Sequence, residues 1–170
     1  MEFYFRWIGA LLIAAAGILT GFYAAREYKR RVREIEAMIA ALNHMQAEIA
    51  LRLTPMADIF RDLASQNTPC TSFFAAIVTG ITEIYEEPLA SLWKRMANES
   101  FPPSDARDIF AALGSSLGCY DAQQECAAIT YTVEQLKREL THAQEENITQ
   151  GMLLKRLGAA AGVGLAIIFL

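Results

Sequence analysis

Glu139 and His142 stand three residues apart, which puts a carboxylate and an imidazole on one face of any helix that contains them. That spacing is part of the donor set of a di-iron or di-manganese carboxylate centre, which needs a second Glu-x-x-His and two further inward glutamates. The only other histidine is His44, and Ala41 occupies the position three before it, so the set is incomplete. A surface Glu–His pair on a long helix is the simpler reading, and a carboxylate metalloenzyme is the rival. Asp58 and Asp62, four apart, would also share a helix face, and adjacent carboxylates can split their pKa values and do acid–base work. Arg61 lies between them and no apolar pocket is signalled, so solvated surface charge is expected. Cys70, Cys119 and Cys126 are odd in number, and none forms a Cys-x-x-Cys, which argues against a disulfide framework or a thiolate metal site. Their expected role is as small core residues. Gly80 stands alone, with no Gly-rich phosphate loop around it. No nucleophile arrangement of Ser, His and Asp is recognisable. The expectation is a non-enzymatic chain with no cofactor, no metal and no small-molecule substrate.

Composition narrows the class further. The chain has 170 residues, 54% of them hydrophobic, with 15 basic residues against 19 acidic. The apolar share exceeds the roughly 45–50% of soluble chains. A net charge of only −4 with so many apolar residues excludes intrinsic disorder. Basic residues are not interleaved with aromatics, so no nucleic acid is expected as a partner. The length suits one domain with short appendages.

The appendages read as membrane segments. Between Arg6 and Arg26 lies an uncharged run of 19 residues, Trp7 to Ala25. At ~1.5 Å per residue a helix there is ~28 Å long, close to the hydrocarbon thickness of a bilayer. Trp7 marks one edge, and Phe22 and Tyr23 mark the other, as interfacial aromatics do. The run exceeds a signal-peptide core, and Tyr23 is too large for the cleavage position it would occupy. At the other end, fourteen uncharged residues, Leu157 to Leu170, follow Lys155 and Arg156. That is short for a span, and Met152 to Leu154 extend it if the two cations snorkel. Gly17 with Gly21, and Gly158 with Gly162, are small-xxx-small steps that let helix backbones approach closely in lipid. Residues 26–33 hold Arg26, Lys29, Arg30, Arg31 and Arg33 against Glu27 alone, a net of +4. The positive-inside rule then places the central domain in the cytoplasm, with the basic cluster beside anionic headgroups.

The expected organisation is a transmembrane helix over 7–25, a cytoplasmic helical bundle over 26–156 and a C-terminal transmembrane helix over 157–170. In the central part helical periodicity is everywhere and no strand alternation is sustained. A first helix carries Val32, Ile35, Ile39, Leu42, Ile49 and Leu53 and stops before Thr54-Pro55, an N-cap with proline at the first helical position. The second turns Ile59, Phe60 and Leu63 inward. Thr68-Pro69 opens a third with Phe73, Phe74, Ile77, Ile81 and Ile84. Glu87-Pro88 precedes a fourth with Leu89, Leu92, Trp93 and Met96. After Phe101-Pro102-Pro103, Ser104 caps a fifth with Ile109, Phe110 and Leu113. Gly118 suits a C-cap, and Asp121 with Gln124 suits a variant of the capping box. The sixth carries Cys126, Ile129, Val133, Leu136 and Leu140 and can run on into the terminal span, with Gly151 its weakest point. Residues 54–154 hold six basic and fourteen acidic side chains, a net of −8, so an acidic body adjoins a basic collar.

Several stretches resemble the stage III sporulation protein AB family. They are Trp7-Ile8-Gly9-Ala10-Leu11-Leu12-Ile13 with Gly21-Phe22 and Tyr28; Glu48-Ile49 with Thr54-Pro55-Met56; Leu113-Gly114-Ser115-Ser116-Leu117-Gly118 with Asp121 and Gln124; and Leu157-Gly158 with the apolar tail. Their order and spacing cover nearly the whole chain. Cys119-Tyr120 departs from the small polar residue expected before Asp121. The resemblance implies an all-α six-helix bundle similar to the cytoplasmic domains of the inner-membrane platform protein of type II secretion and type IV pilus systems. It also implies a place on the mother-cell side, in the outer forespore membrane, in the channel linking mother cell and forespore. There the chain would be a platform or adaptor under ring-forming channel subunits, coupling them to a cytoplasmic secretion-type ATPase, with no catalytic residues carried over. A general secretion or pilus platform outside sporulation is the alternative.

Overall fold

The computed structural model describes residues 26–52, 54–83, 87–118 and 121–169, with side chains as far as Glu146 apart from that of Glu83. Six α-helices, and no strand, occur among them. They are α1 over 26–47, α2 Met56–Ser65, α3 Thr71–Glu83, α4 Leu89–Ser100, α5 Asp105–Leu113 and α6 Ala122–Phe169. A π-helical turn, Glu48–Arg52, follows α1, and a 3-10 turn, Gly114–Ser116, follows α5. The chain divides into two compact units, Arg33–Thr141 and one formed by Met1–Val32 with His142–Leu170.

In the larger unit α1 buries Ile35, Met38, Leu42, Met45 and Ile49, alternating steps of three and four that hold one helix face to the interior. The expected Ile39 is half-buried instead, and the two methionines take the inward places. The inward residues expected of α2 (Ile59, Phe60, Leu63) are all buried, as are Leu92, Trp93 and Met96 of α4 and Ile129, Val133 and Leu136 of α6. Ile81 at the end of α3 is exposed, and Leu89, Ile109, Cys126 and Leu140 are half-buried, not inward.

An aromatic cluster joins α2 to α5. Phe73 is the hub, with ring centroids 4.8 Å from Trp93, 4.9 Å from Phe74 and 5.1 Å from Phe110. Phe60 and Phe101 close the ends, 5.8 Å from Trp93 and from Phe110 respectively. Most of these pairs are edge-on or tilted, an arrangement worth about 0.5–1.5 kcal/mol per pair beyond area burial. The Trp93 indole Nε1–H donates to the Phe110 carbonyl at 2.8 Å, so the one polar group this ring brings inside is satisfied.

Prolines set the helix starts, but not with the caps expected. α2 and α4 begin directly after Pro55 and Pro88, and neither has a side-chain cap. The Thr54 hydroxyl donates instead to Glu48 Oε2 at 2.8 Å, and the Thr54 amide donates to the Glu48 carbonyl, which closes the π-turn. Around Thr68 the bonds fall in the turn that precedes α3: its amide donates to Thr71 Oγ1 at 3.0 Å, and the two hydroxyls lie 3.5 Å apart. Ser104 does cap α5, its hydroxyl accepting from the Arg107 amide at 3.2 Å. Asp121 caps α6, accepting from the Gln124 amide at 2.9 Å. Gly118 adopts the left-handed conformation, with φ of 76°, after the 3-10 turn rather than directly after α5. Its amide donates to Glu125 Oε1 at 2.7 Å, and Glu125 is buried.

The smaller unit holds the start of α1 and the end of α6, and Arg31 Nη1 pairs with Glu146 Oε2 at 3.3 Å. α6 is one helix of 48 residues that passes Gly151 without a break. Among the described residues no helix is long and apolar enough to cross a membrane. The run Trp7–Ala25, with Gly17 and Gly21, lies outside the described residues, as do Leu53, Ile84 and the pair Cys119-Tyr120. Gly158 and Gly162 fall within α6, but their surroundings lie beyond the described side chains. What the structure supports of the expected architecture is therefore the all-helical bundle, while the transmembrane termini are not borne by any described helix.

Candidate contact surfaces

The chemical candidates do not converge. His142 is exposed and Glu139 half-buried, and no group of three His, Cys, Asp or Glu able to hold a metal occurs among the described residues. Asp58 and Asp62 go separate ways. Asp58 pairs with Arg61, three residues along α2, while Asp62 Oδ2 lies 2.8 Å from His44 Nε2 of α1 and accepts from Gln66 Nε2 at 3.3 Å. The His44–Asp62 approach is close but not an aligned hydrogen bond, since His44 Nε2 has no hydrogen-bond partner. Neither carboxylate shares a pocket with the other, so no acid–base pair forms.

The thiols are placed for packing. Cys70 is buried, and loss of solvation, aided by the Glu34 charge, pushes its thiol up to about 12. Cys126 is half-buried, and burial together with the Glu125 carboxylate raises it as well. Both are held as thiols, the unreactive form.

The basic stretch is laid out along the start of α1. Arg26, Lys29, Arg30 and Arg33 are exposed, and Arg31 is half-buried. Arg30 Nε donates to Glu27 Oε2 at 3.1 Å, and this bond holds the Glu27 carboxyl below its ordinary range. Arg31 is committed to Glu146. In the body Arg61, Arg95 and Arg107 are matched with acids. Arg95 bonds Glu87 at 2.6 Å, which raises its own pKa, and Arg107 bonds Asp108 at 2.7 Å.

Two hollows flank α5, both within the larger unit. One is an open groove of about 690 Å³ between α4 and α5, walled by Ser91, Lys94 and Asn98 on one side and Asp108, Ala112 and Ser115 on the other. The other holds about 180 Å³ between α5 and α6, against Ile109, Tyr131 and Thr132. Tyr131 is 65% exposed. Sequence reasoning found neither, because each depends on which helices become neighbours.

Fold and surface together define an all-helical protein that carries its charge in two zones, with its reactive side chains dispersed among the described residues. Comparison of sequences gives the family: the model for stage III sporulation protein AB matches residues 6–170, and the chain belongs to that family. Stage III sporulation protein AB of Bacillus subtilis (strain 168) is 24% identical over 173 residues, covering 97% of this chain and 99% of that relative. No solved structure matches the chain.

Proposed function

We propose that the chain is a membrane-anchored platform or adaptor subunit, non-enzymatic, of the sporulation-specific channel between mother cell and forespore. It sits on the mother-cell side, in the outer forespore membrane, with its helical body in the cytoplasm. There it meets ring-forming channel subunits and a cytoplasmic secretion-type ATPase. The observation that carries the reading is the family match over residues 6–170. Two features of the chain agree with it. The uncharged run Trp7–Ala25 is long enough to cross a bilayer, and the exposed cations that follow it keep their flank on the cytoplasmic side. Gly17, Gly21, Gly158 and Gly162 would pack the terminal helices in lipid. The physical role is transmission by contact: a partner orients the bundle, and the long helices α1 and α6 pass that displacement toward the bilayer.

Crosslinking followed by pull-down from sporulating membranes tests the reading. Recovery of the ATPase and of ring-forming subunits is the expected result. Recovery of neither, or labelling of a thiol introduced in the body from outside the cytosol, overturns it. A general secretion or pilus platform would instead be expressed in growing cells.

A further inference from the structure

We propose that the groove between α4 and α5 seats a helix of another protein, one that presents small and apolar residues to the groove and a carboxylate to Lys94. The groove follows two helical rows. Ser91, Lys94 and Asn98 rise along one wall at three- and four-residue steps, and Asp108, Ala112 and Ser115 along the other. Rows of this kind with a trough between them are a surface into which the ridge of a third helix packs. Ala90, Ser91, Ala112 and Ser115 of the lining are short, so a helix backbone can come close there. From Ser91 to Asn98 the wall runs for about 11 Å, or two turns. The groove is open along that length, with about 690 Å³ of free space, so a helix lying in it keeps its outer face in water. A small-molecule site would be enclosed and lined by aromatic and large apolar groups; this groove is open and lined by alanine, serine and charge.

Charge selects the occupant. The body carries a net of −8 over 54–154. Of its six cations Arg61, Arg95 and Arg107 are each ion-paired with a neighbouring acid, while Lys94, Lys137 and Arg138 are exposed, and of these three only Lys94 lines the groove. Lys94, exposed on the groove wall, makes no ion pair among the described residues. Lys94, with no acid of its own, locally favours one partner carboxylate, which fixes the register of the bound helix, although the net charge of the body does not itself favour an acidic segment. The smaller hollow on the far side of Ala112 supplies an anchor point, where Tyr131 and Ile109 can close on one apolar side chain of the same partner.

The inference rests on the contact role proposed above but not on the membrane placement. Loss of anchoring would show in fractionation of the unaltered chain, whereas failure here shows only in groove variants. The test is photocrosslinking in sporulating cells, with p-benzoylphenylalanine placed in the full chain at Ala112, and at exposed Leu51 as the control position. The expected result is a crosslink from position 112, absent from position 51, to a peptide of helical periodicity that contains an acidic residue. Lys94→Glu should lower its yield at least tenfold, Lys94→Gln should lower it less, and exchanging the partner's acidic residue for lysine should restore yield in the Lys94→Glu chain. Lys94 is exposed, so unchanged helicity and thermal midpoint are expected in both variants. No crosslink at 112, the same products from both positions, a peptide of a second copy of this chain, or a yield indifferent to Lys94→Glu each overturn the proposal.

Discussion

Substituting Gly114 by alanine tests the packing that holds α4 against the end of α5. A Cβ built on Gly114 would lie 2.7 Å from Trp93 Cβ and 2.8 Å from Trp93 Cγ and Cδ1. Trp93 cannot give way easily. Its Cβ is one bond from the α4 backbone, its ring is fully buried among Phe60, Phe73, Phe74 and Phe110, and its indole N–H is held by the Phe110 carbonyl. Forcing a methyl group into such a site costs about 1–3 kcal/mol. Gly114 has helical angles, φ −53° and ψ −30°, so alanine brings no backbone strain and returns about 0.5–1 kcal/mol of chain entropy. The net loss is about 0.5–2 kcal/mol, or a fall in Tm of about 1–8 °C for a chain of this size. Thermal unfolding of the full chain in detergent, followed by helical circular dichroism, measures it. Gly80→Ala is the internal comparison. There the new Cβ meets Leu92 Cδ1 at 2.6 Å, the far end of a flexible side chain, and the glycine lies within α3, three residues before its end. The propensity gain of about 1 kcal/mol should offset most of that contact. If Gly114→Ala melts at or above the unaltered chain, or if Gly80→Ala is the more damaging of the two, the reasoning about the fixed indole is wrong.

Other outcomes follow from the same structure. Glu125→Ala removes the carboxylate that accepts from the Gly118 amide and should destabilise by about 1.5–3 kcal/mol, with faster hydrogen exchange at that amide as the direct readout. With its thiol pushed up to about 12 from 9.0, Cys70 at pH 8 is ionised to about one part in ten thousand instead of about a tenth, so maleimide should modify it only after unfolding. Cys126, half-buried and shifted in the same direction, should react between these limits, which mass spectrometry of timed samples would resolve. Replacing Arg26, Lys29, Arg30 and Arg33 together by glutamine should reduce binding to vesicles rich in anionic lipid and flatten its salt dependence, at about 1 kcal/mol per charge; equal binding at low salt would remove the basic stretch from any membrane role.

The sequence made the helices visible because their punctuation is chemical. Pro55, Pro69, Pro88 and Pro102-Pro103 lie at or just before the starts of α2 to α5, and Ser104 and Asp121 cap as their side chains allow. Thr54 and Thr68 misled for a physical reason. A hydroxyl beside a turn has several partners in reach: that of Thr54 donates to Glu48, and that of Thr68 lies 3.5 Å from the Thr71 hydroxyl, which accepts from the Thr68 amide. The inner face of α1 was legible at Ile35, Leu42 and Ile49 but not at Met38 and Met45, because methionine is flexible and serves on the surface as readily as inside. Sequence spacing separates Trp93 from Phe110 by more than a helix, so their hydrogen bond could not be read in advance. The grooves were equally hidden, since they belong to pairs of helices rather than to one. The basic stretch lies along one helix, α1, so its layout is local, while its role beside a membrane is what the vesicle measurement tests.

The bond from the Trp93 indole to the Phe110 carbonyl ties together the two helices that wall the larger groove. With the ring also wedged against Gly114, α4 can neither slide along α5 nor turn about its own axis without breaking both. The trough therefore has one width, set inside the protein and not by whatever lies in it. A visiting segment finds a gauge rather than a mould: it must bring the right girth and shed its own disorder, while the host gives up almost none of its own freedom.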